Sequence, residues 1–455
     1  MTAPDAQERG ANSGAQGSSP AYSARTEVVA GITTFVTMAY IIFVQPAVLS
    51  IDFTGKPTGL DFGAVLLATC VVSGAATILM GLWAKYPIAL APGMGENFFF
   101  VSVIMGLAAA GVPEPWRAAL GIVFISGVIF LVLSVIGVRE AVLDSISPSM
   151  RNAIAAGIGL FVAFIGLRNG GLIVAHPGTL VTLKPDLVSA DVAVFAVGLV
   201  TAAALHIRGV RGAILIGIGA AAVVAAALGK IHYAGVFGLP QINTGAAFRL
   251  DLATALNPRW LPFVAVFLFM NVFDTIGSVV GVTQQAGLMR DGKLPRAERV
   301  LVVDAAGTVL GAALGTSTIV TYIESAAGVS AGGRTGLTAV VAGSLFFVAL
   351  LFSPLIGMIG NYLPITAPAL IIVGAMMMSN ASRIEWDDSS ESVPAFLTMV
   401  GIPLAYSIAD GLALGFISYP ALKLLTGRGR QIGTMSYGIA ALLIIYFVFV
   451  RARLT

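Results

Sequence analysis

The organisation of the chain follows from residues 311–336, GAALGTSTIVTYIESAAGVSAGGRTG, which lie between strongly apolar runs. Residues 316–322 are nearly all β-branched, hydroxyl-bearing or aromatic, which favours extended backbone. Glu324 follows, just before small residues that can form a short helix. Extended backbone at membrane depth is tolerated only where other parts of the protein bury it or where it lines a water-filled cavity. We therefore expect a polar-solute site here, with the Glu324 carboxylate near inward-pointing N–H groups. The alternative is a loop whose Glu324 faces water.

The composition indicates a polytopic membrane protein. Of the 455 residues, 57% are hydrophobic and 10% are charged, whereas soluble chains carry roughly 25% charge. The net charge of +3 fits basic cytoplasmic loops and implies no nucleic-acid partner. A single cysteine, Cys70, excludes a disulfide framework. The three histidines lie far apart without ligand-spaced neighbours, so we expect no metal or cofactor.

Hydrophobic segments recur along the chain, and spanning a bilayer takes about 20 apolar residues. We predict an all-α fold with fourteen transmembrane segments and short extended stretches in the third and tenth. The segments are 28–50, 62–83, 86–108, 117–137, 152–167, 190–206, 212–229, 260–282, 299–313, 315–331, 336–358, 363–380, 394–408 and 409–425. Residues 1–24 are expected to form a disordered tail, and whether a last segment at 435–450 crosses the membrane stays open.

The third and tenth segments share a pattern. Each places a short non-helical run before an acidic residue, Glu96 or Glu324, and a helix. Seven segments per half is an odd number, so the two halves must have opposite topology, as in the inverted repeats of secondary transporters. An intracellular N-terminus puts most basic loop residues on the cytoplasmic side, in agreement with the positive-inside rule.

Asp274 is a carboxylate in the middle of the apolar eighth segment, close to Ser278. A carboxylate at that depth is costly and indicates a functional role. The alternative is a structural Asp274 paired with a basic residue across the bundle. Asp304 and Arg334 are expected to pair with each other and to hold segments 9 and 10 together.

Several motifs together resemble the nucleobase:cation symporter-2 family, and more closely its AzgA-like purine permeases. The resemblance covers about residues 25–430. The motifs are GITTFVTMAYIIFV (31–44), APGMG (91–95), FDTIG (273–277), GTST (315–318), YIES (322–325), GGRTGLTA (332–339) and YSIADG (406–411).

The resemblance implies a core domain, built from segments 1–4 and 8–11, and a gate domain, built from segments 5–7 and 12–14. The corresponding ranges are 25–150 and 259–360 for the core, 151–258 and 361–430 for the gate, and 431–455 for a C-terminal hydrophobic segment. It also implies that Asp274 and Glu324 face a purine. The candidate substrate-binding residues are Asp274, Glu324, Tyr322, Asn97, Glu96, Ser278 and Thr321, and the candidate proton carriers are Asp274, Glu324 and Glu96.

Three positions depart from the family pattern. An Asp is usual where Asn271 stands, an apolar residue where Glu96 stands, and an Asn where Gln45 stands. One interpretation is that a carboxylate has moved from the eighth segment to the third. The other is that Glu96 faces a water-filled vestibule without functional consequence. The sequence leaves both open.

Together with these residues, the resemblance implies a proton-coupled importer of purine nucleobases such as adenine, guanine or hypoxanthine, working by an elevator-type mechanism. The resemblance further implies a homodimer in the inner membrane, with a cytoplasmic N-terminus. A rival is an anion or other solute carrier of the same fold, but such carriers generally lack a paired acidic site. An enzyme would need a nucleophile–base or metal arrangement, and none is visible. A channel would not explain the internal duplication.

Overall fold

A computed structural model of the chain describes residues 23–136, 147–238, 242–289 and 294–445. Within these ranges, nine helical stretches are at least 18 residues long and apolar enough to cross a membrane. This confirms the prediction of a mostly helical polytopic membrane protein. Most of the predicted tail, 1–22, and the end of the last hydrophobic segment, 446–455, lie outside the described residues.

The secondary-structure elements follow one another in chain order. They are α1 (Ala24–Met38), α2 (Ile41–Ser50), α3 (Phe62–Leu79), β1 (Leu90–Pro92), α4 (Met94–Ala109), α5 (Pro115–Ile136), α6 (Pro148–Asn169), β2 (Ile173–His176), β3 (Leu180–Leu183), α7 (Ala190–Ile207), α8 (Ala213–Ala227), α9 (Leu252–Ala255), α10 (Leu261–Gln285), α11 (Ala297–Leu314), β4 (Ile319–Thr321), α12 (Ser325–Ser330), α13 (Gly336–Ala349), α14 (Ser353–Gly360), α15 (Leu363–Met378), α16 (Ser389–Leu404), α17 (Ile408–Leu425) and α18 (Thr434–Ile445).

The third and tenth predicted segments contain the extended stretches that their composition indicates. β1 precedes α4, and β4 precedes α12. The first predicted segment is divided at Ala39–Tyr40 into α1 and α2. The number of membrane crossings and the inverted repeat stay predictions.

The helices pack in two groups. The first helix group comprises α1–α5 and α10–α14, in which α13 packs on α1 and α3, and α11 packs on α5. The second helix group comprises α6–α8 and α15–α17, in which α15 packs on α6, α7 and α8, and α16 on α6 and α17. Contacts between the groups are sparser and join α4 to α6 and α17, α2 and α14 to α15, and α1 to α8.

Glycines allow the close helix crossings inside each group. A Cβ placed on Gly336, at the start of α13, would lie 1.9 Å from the carbonyl oxygen of Gly81. Gly81 belongs to a π-helical turn, Met80–Ala84, that continues α3. In the second group, a Cβ on Gly374 would lie 2.5 Å from the carbonyl oxygen of Gly159. Small residues at such crossings are how membrane helices reach backbone-to-backbone contact.

The all-α prediction is wrong for the connection between α6 and α7, which contains a β-hairpin. β2 and β3 pair antiparallel, with Ile173 opposite Leu183 and His176 opposite Leu180. The two strands carry β-branched residues on either side of a Pro-Gly turn, which is the usual composition of a hairpin. Its apolar stretches, residues 172–175 and 180–183, are too short to register as membrane-spanning segments, so the hydropathy pattern did not indicate the hairpin.

The break between α16 and α17 differs in one detail from what its sequence indicates. Asp410 resembles an N-cap, but the capping residue is Ser407, whose hydroxyl accepts from the backbone N–H of Asp410 at 3.2 Å. Asp410 lies in the first helical turn, where its negative charge suits the helix dipole.

Candidate functional site

The candidate site is built where β1 and β4 meet. The strands pair antiparallel, with Leu90 opposite Thr321 and Pro92 opposite Ile319, and both are fully buried. Each strand thereby satisfies backbone groups of the other, as extended backbone inside a membrane protein requires. α4 starts two residues after β1, and α12 starts four residues after β4, so both helix starts lie beside the strand pair.

A buried polar network ties α2, α4 and the residues before β4 together. The side-chain amide of Gln45 donates to Thr316 Oγ1 and Ser317 Oγ, at 3.0 Å each. Ser317 Oγ in turn donates to Asn97 Oδ1. All four side chains are buried. Asn97, a candidate binding residue, therefore uses its oxygen to hold the two chain breaks together in this conformation.

A second network anchors β4 to α10 and α11. Thr308 Oγ1 accepts from Asn271 Nδ2 at 2.8 Å and donates to the carbonyl oxygen of Ile319 at 2.9 Å. The hydroxyls of Ser278 and Thr321 lie 2.5 Å apart in a hydrogen bond that either can donate. Ser278 and Thr321 are thus brought together, but both are buried and already paired.

The acidic residues gather around the strand pair. Glu324 is the residue before α12, and its Oε1 accepts from the Tyr40 hydroxyl at 2.7 Å. Asp274 is on α10 with its side chain exposed, although α10 is otherwise largely buried in this region. Glu96, in the first turn of α4, is only 2% exposed. Its carboxylate lies against Gly93, where a Cβ would be 2.2 Å from Oε2.

Asp274 lies within electrostatic reach of the other two carboxyl groups. Asp274 interacts with both Glu96 and Glu324, and the Tyr322 hydroxyl interacts with all three. Tyr322 also donates to the carbonyl oxygen of Pro92 at 2.5 Å, so its ring is fixed against β1. In the described ranges, no salt bridge from Lys or Arg reaches these carboxyl groups. The alternative of a structural Asp274 ion pair therefore finds no support there.

The predicted pairing of Asp304 with Arg334 is wrong. Asp304 is buried and accepts from Thr275 Oγ1 at 2.8 Å. The Arg334 guanidinium instead donates to the backbone carbonyls of Val329, in α12, and Gly333. The turn at Gly332 and Gly333 keeps the guanidinium beside those carbonyls, away from α11.

The sequence analysis missed two buried residues, Tyr40 at the candidate site and Glu27 between α1 and α13. The Glu27 carboxylate accepts from the backbone N–H groups of Arg334 and Thr335, and from the Thr338 hydroxyl at 2.5 Å. It thus joins the start of α1 to the start of α13. Tyr40 and Glu324 are 284 positions apart, and no local pattern indicates such a contact. The only signal was that Tyr40 lies inside the 31–44 motif.

Comparisons with known proteins agree on one family. A family model described as "Permease family" matches residues 25–414. The guanine/hypoxanthine permease PbuG of Bacillus subtilis is 43% identical over 94% of this chain and 97% of its own. The adenine permease AdeP of Escherichia coli is 42% identical over 95% of this chain and 94% of its own. A putative permease of Methanocaldococcus jannaschii, MJ0326, is 46% identical over 93% and 95% of the two chains.

Solved structures show the same fold at low identity. The transmembrane domain of the cyanobacterial bicarbonate transporter BicA superposes with a TM-score of 0.63 at 15% identity, over 86% of this chain and 97% of that one. SLC26A9 gives a TM-score of 0.60 at 10% identity, over 87% and 65% of the two chains. The chain is thus a multi-pass membrane transporter and no enzyme, and it belongs to the nucleobase:cation symporter-2 family of permeases.

Proposed function

We propose that this protein imports purine nucleobases together with protons, and that the base binds at the β1–β4 strand pair. The observation that carries the proposal is the group formed by Asp274, Glu324 and Glu96, which has no basic partner in the described ranges. The relatives named as guanine/hypoxanthine and adenine permeases support the same substrate class.

The chemistry of the acidic group suits a purine and a proton. Purines present several N–H donors and ring acceptors, and one carboxylate can accept two N–H bonds in a plane. Asp274 is accessible, and Glu324 is oriented by Tyr40. These two carboxylates take the role of binding the base. A carboxylate that exchanges a proton as the base arrives and leaves also supplies the simplest coupling device.

The two helix groups supply the parts for alternating access. All residues of the candidate site belong to the first helix group, which we assign as the core that carries the base. The second helix group then acts as the gate, and the core slides against it as an elevator. We further assign fourteen crossings in two inverted halves, a cytoplasmic N-terminus, an inner-membrane location and a homodimer.

The fold alone would also allow an anion carrier, because the similar solved structures include a bicarbonate transporter. The local charge argues against it. An anion at the strand pair would meet Asp274, Glu324 and Glu96 without a neighbouring Lys or Arg in the described ranges. Like charges at such short range repel strongly where water is scarce.

The first test is uptake of labelled adenine, guanine and hypoxanthine in cells that lack their own purine permeases. We expect Asp274→Asn and Glu324→Gln each to abolish uptake at unchanged expression, because each removes an acceptor for purine N–H groups. Glu385→Gln is the matched control, since Glu385 is exposed and its backbone N–H donates to Ser149, in the second helix group. Near-normal uptake by either variant would show that the substituted residue does not bind the base.

Proton coupling is tested in the same cells. Uptake should rise as the external pH falls and should collapse when a protonophore dissipates the proton gradient. Uptake that depends on sodium and is insensitive to the protonophore would show that the proton is not the coupling ion. The substrate assignment would be unaffected.

The role of Glu96 needs its own variants. We assign Glu96 as the carboxylate that replaces the one missing at Asn271, since it is buried and interacts with Asp274. Glu96→Leu should impair uptake or shift its pH profile. Adding Asn271→Asp should restore part of the loss, because it returns a carboxylate to the neighbourhood of β4. If Glu96→Leu transports like the parent protein at every pH, Glu96 has no part in coupling.

A further inference from the structure

A cavity lies between the two helix groups, at the end of the molecule where α2 and α6 end. Its volume is about 260 Å³, slightly below the roughly 300–1,000 Å³ of sites for drug-sized ligands. Phe53 and Phe98 line it from the first helix group. Arg168, Asn169 and Tyr406 line it from the second. We call it the Phe53 cavity.

Aromatic rings from both helix groups close the bottom of the Phe53 cavity. The Phe53 ring centroid lies 5.2 Å from that of Tyr406 and 5.9 Å from that of Phe161, with the rings nearly perpendicular in both pairs. Phe98 packs on Phe53 and Phe161, at 6.4 and 6.2 Å. Phe98 directly follows Asn97 in α4, so the aromatic cluster adjoins the helix start that carries Glu96, one of the carboxyl groups of the acidic site (Asp274, Glu324 and Glu96).

The positively charged side chain of Arg168 also lines the cavity, and it has no carboxylate partner in the described ranges. The exposed Arg168 guanidinium donates to the Tyr406 hydroxyl at 2.7 Å and lies 5.9 Å from the centre of its ring. Arg168 therefore keeps N–H donors free for a ligand. A planar heteroaromatic molecule suits this arrangement, since it can stack on the rings and accept from the guanidinium.

Tyr406 holds its ring in place through a strained backbone. Its φ is +51°, in the left-handed region that non-glycine residues rarely adopt. It lies in the short turn between α16 and α17. Strain of this kind concentrates in ligand clamps and switches, and relaxing it would swing the ring away from Phe53.

We propose that the Phe53 cavity is a second binding site for planar heteroaromatic bases, occupied before the aromatic cluster opens toward the acidic site. The base stacks against Phe53 and Tyr406, and its ring nitrogens or carbonyl oxygens accept from Arg168. The proposal rests on the proposed function, because only a transporter of such bases has use for a site on their path. Its chemistry differs from the acidic site, which recognises N–H donors.

The test is cysteine protection in the purified full-length protein. The native Cys70 is fully buried, so labelling by a maleimide reports added cysteines. Ile51→Cys and Leu363→Cys place thiols on opposite walls of the cavity. Val188→Cys, at a position 93% exposed and outside the cavity, is the control. A base at ten times its Kd leaves about a tenth of the sites free. Adenine, guanine or hypoxanthine should then slow labelling of both cavity thiols about tenfold, and leave the control unchanged.

Two backgrounds separate direct binding from an effect transmitted from the acidic site. With Asp274→Asn and Glu324→Gln together, protection of Ile51→Cys should persist, because the cavity does not use those carboxylates. With Arg168→Gln, the base concentration that halves the labelling rate of the cavity thiols should rise severalfold. The proposal is overturned if protection is lost in the double carboxylate variant. It is also overturned if Arg168→Gln leaves the base concentration for half-maximal protection unchanged.

Uptake measurements distinguish this proposal from the proposed function. If the bases are taken up normally but protect neither cavity thiol, the second site is overturned and the transport function stands. If the bases protect both thiols but are not taken up, the cavity binds them and the proposed function fails.

Discussion

The hydrogen bond between Tyr40 and Glu324 allows a quantitative test of the site. The Tyr40 side chain is buried, and its hydroxyl donates to Glu324 Oε1 at 2.7 Å. Tyr40→Phe removes that donor while keeping the ring that packs at the break between α1 and α2. A hydrogen bond to a charged group is worth about 1.5–3 kcal/mol, which corresponds to about 10- to 150-fold in an equilibrium constant.

The expected result of Tyr40→Phe is a KM for purine uptake raised at least about tenfold. The cause is that Glu324 is no longer held in the orientation in which it accepts from the base. Initial rates over a range of base concentrations, normalised to expression at the membrane, give KM and the maximal rate separately. Tyr233→Phe is the matched control, since Tyr233 is 79% exposed.

A KM within twofold of the parent value would refute the reasoning, because Glu324 would then need no orienting donor. Equal effects of Tyr40→Phe and Tyr233→Phe would point to a general loss of folded protein. As a further check, Tyr40→Phe should lower the melting temperature less when Glu324→Gln is already present. Two residues that share one hydrogen bond do not act additively.

Two further predictions concern stability, measured as melting temperature in detergent. Gly336→Ala should destabilise by about 1–3 kcal/mol or more through overpacking, because the new methyl would lie 1.9 Å from the Gly81 carbonyl oxygen. Gly106→Ala, whose Cβ meets no atom within 4 Å, should be neutral or stabilising, and equal melting temperatures for the two would contradict this packing. Ser407→Ala should cost about 1 kcal/mol as a lost N-cap of α17, and an unchanged melting temperature would show that the cap adds nothing.

The sequence predicted the fold well where the pattern was local. Hydroxyl-bearing and β-branched residues before Glu324 indicated extended backbone, and β4 lies there. The Ala-Pro-Gly run before Glu96 indicated the same, and β1 lies there. Apolar runs located the helices because a buried helix must be apolar along its whole length. The β2–β3 hairpin was missed because its strands are only 4 residues long each, too short to register as hydrophobic segments.

The site was less predictable, because its geometry depends on contacts between distant parts of the chain. Asp274 was identified by its cost in an apolar segment and Glu324 by its position before a short helix, and the structure places the two within electrostatic reach of each other. The resemblance placed Asn97 among the binding residues, but no pattern indicated that Ser317 occupies its oxygen. Likewise, the sequence indicated Asp304 as the partner of Arg334, but in the fold Asp304 accepts from the Thr275 hydroxyl.

The pairing of β1 with β4 has a consequence for how the protein is made. Tyr322 and its partner Pro92 are 230 positions apart, so β1 emerges from the ribosome long before β4 exists. Until then the backbone polar groups of β1 lack their strand partner, and in a bilayer each unpaired group costs several kcal/mol. The early helices can insert one by one, but the third segment can mature only after the tenth has been synthesised. Assembly of the candidate site is therefore a late, post-insertion event, and the nascent first half of the chain depends on the second half to complete it.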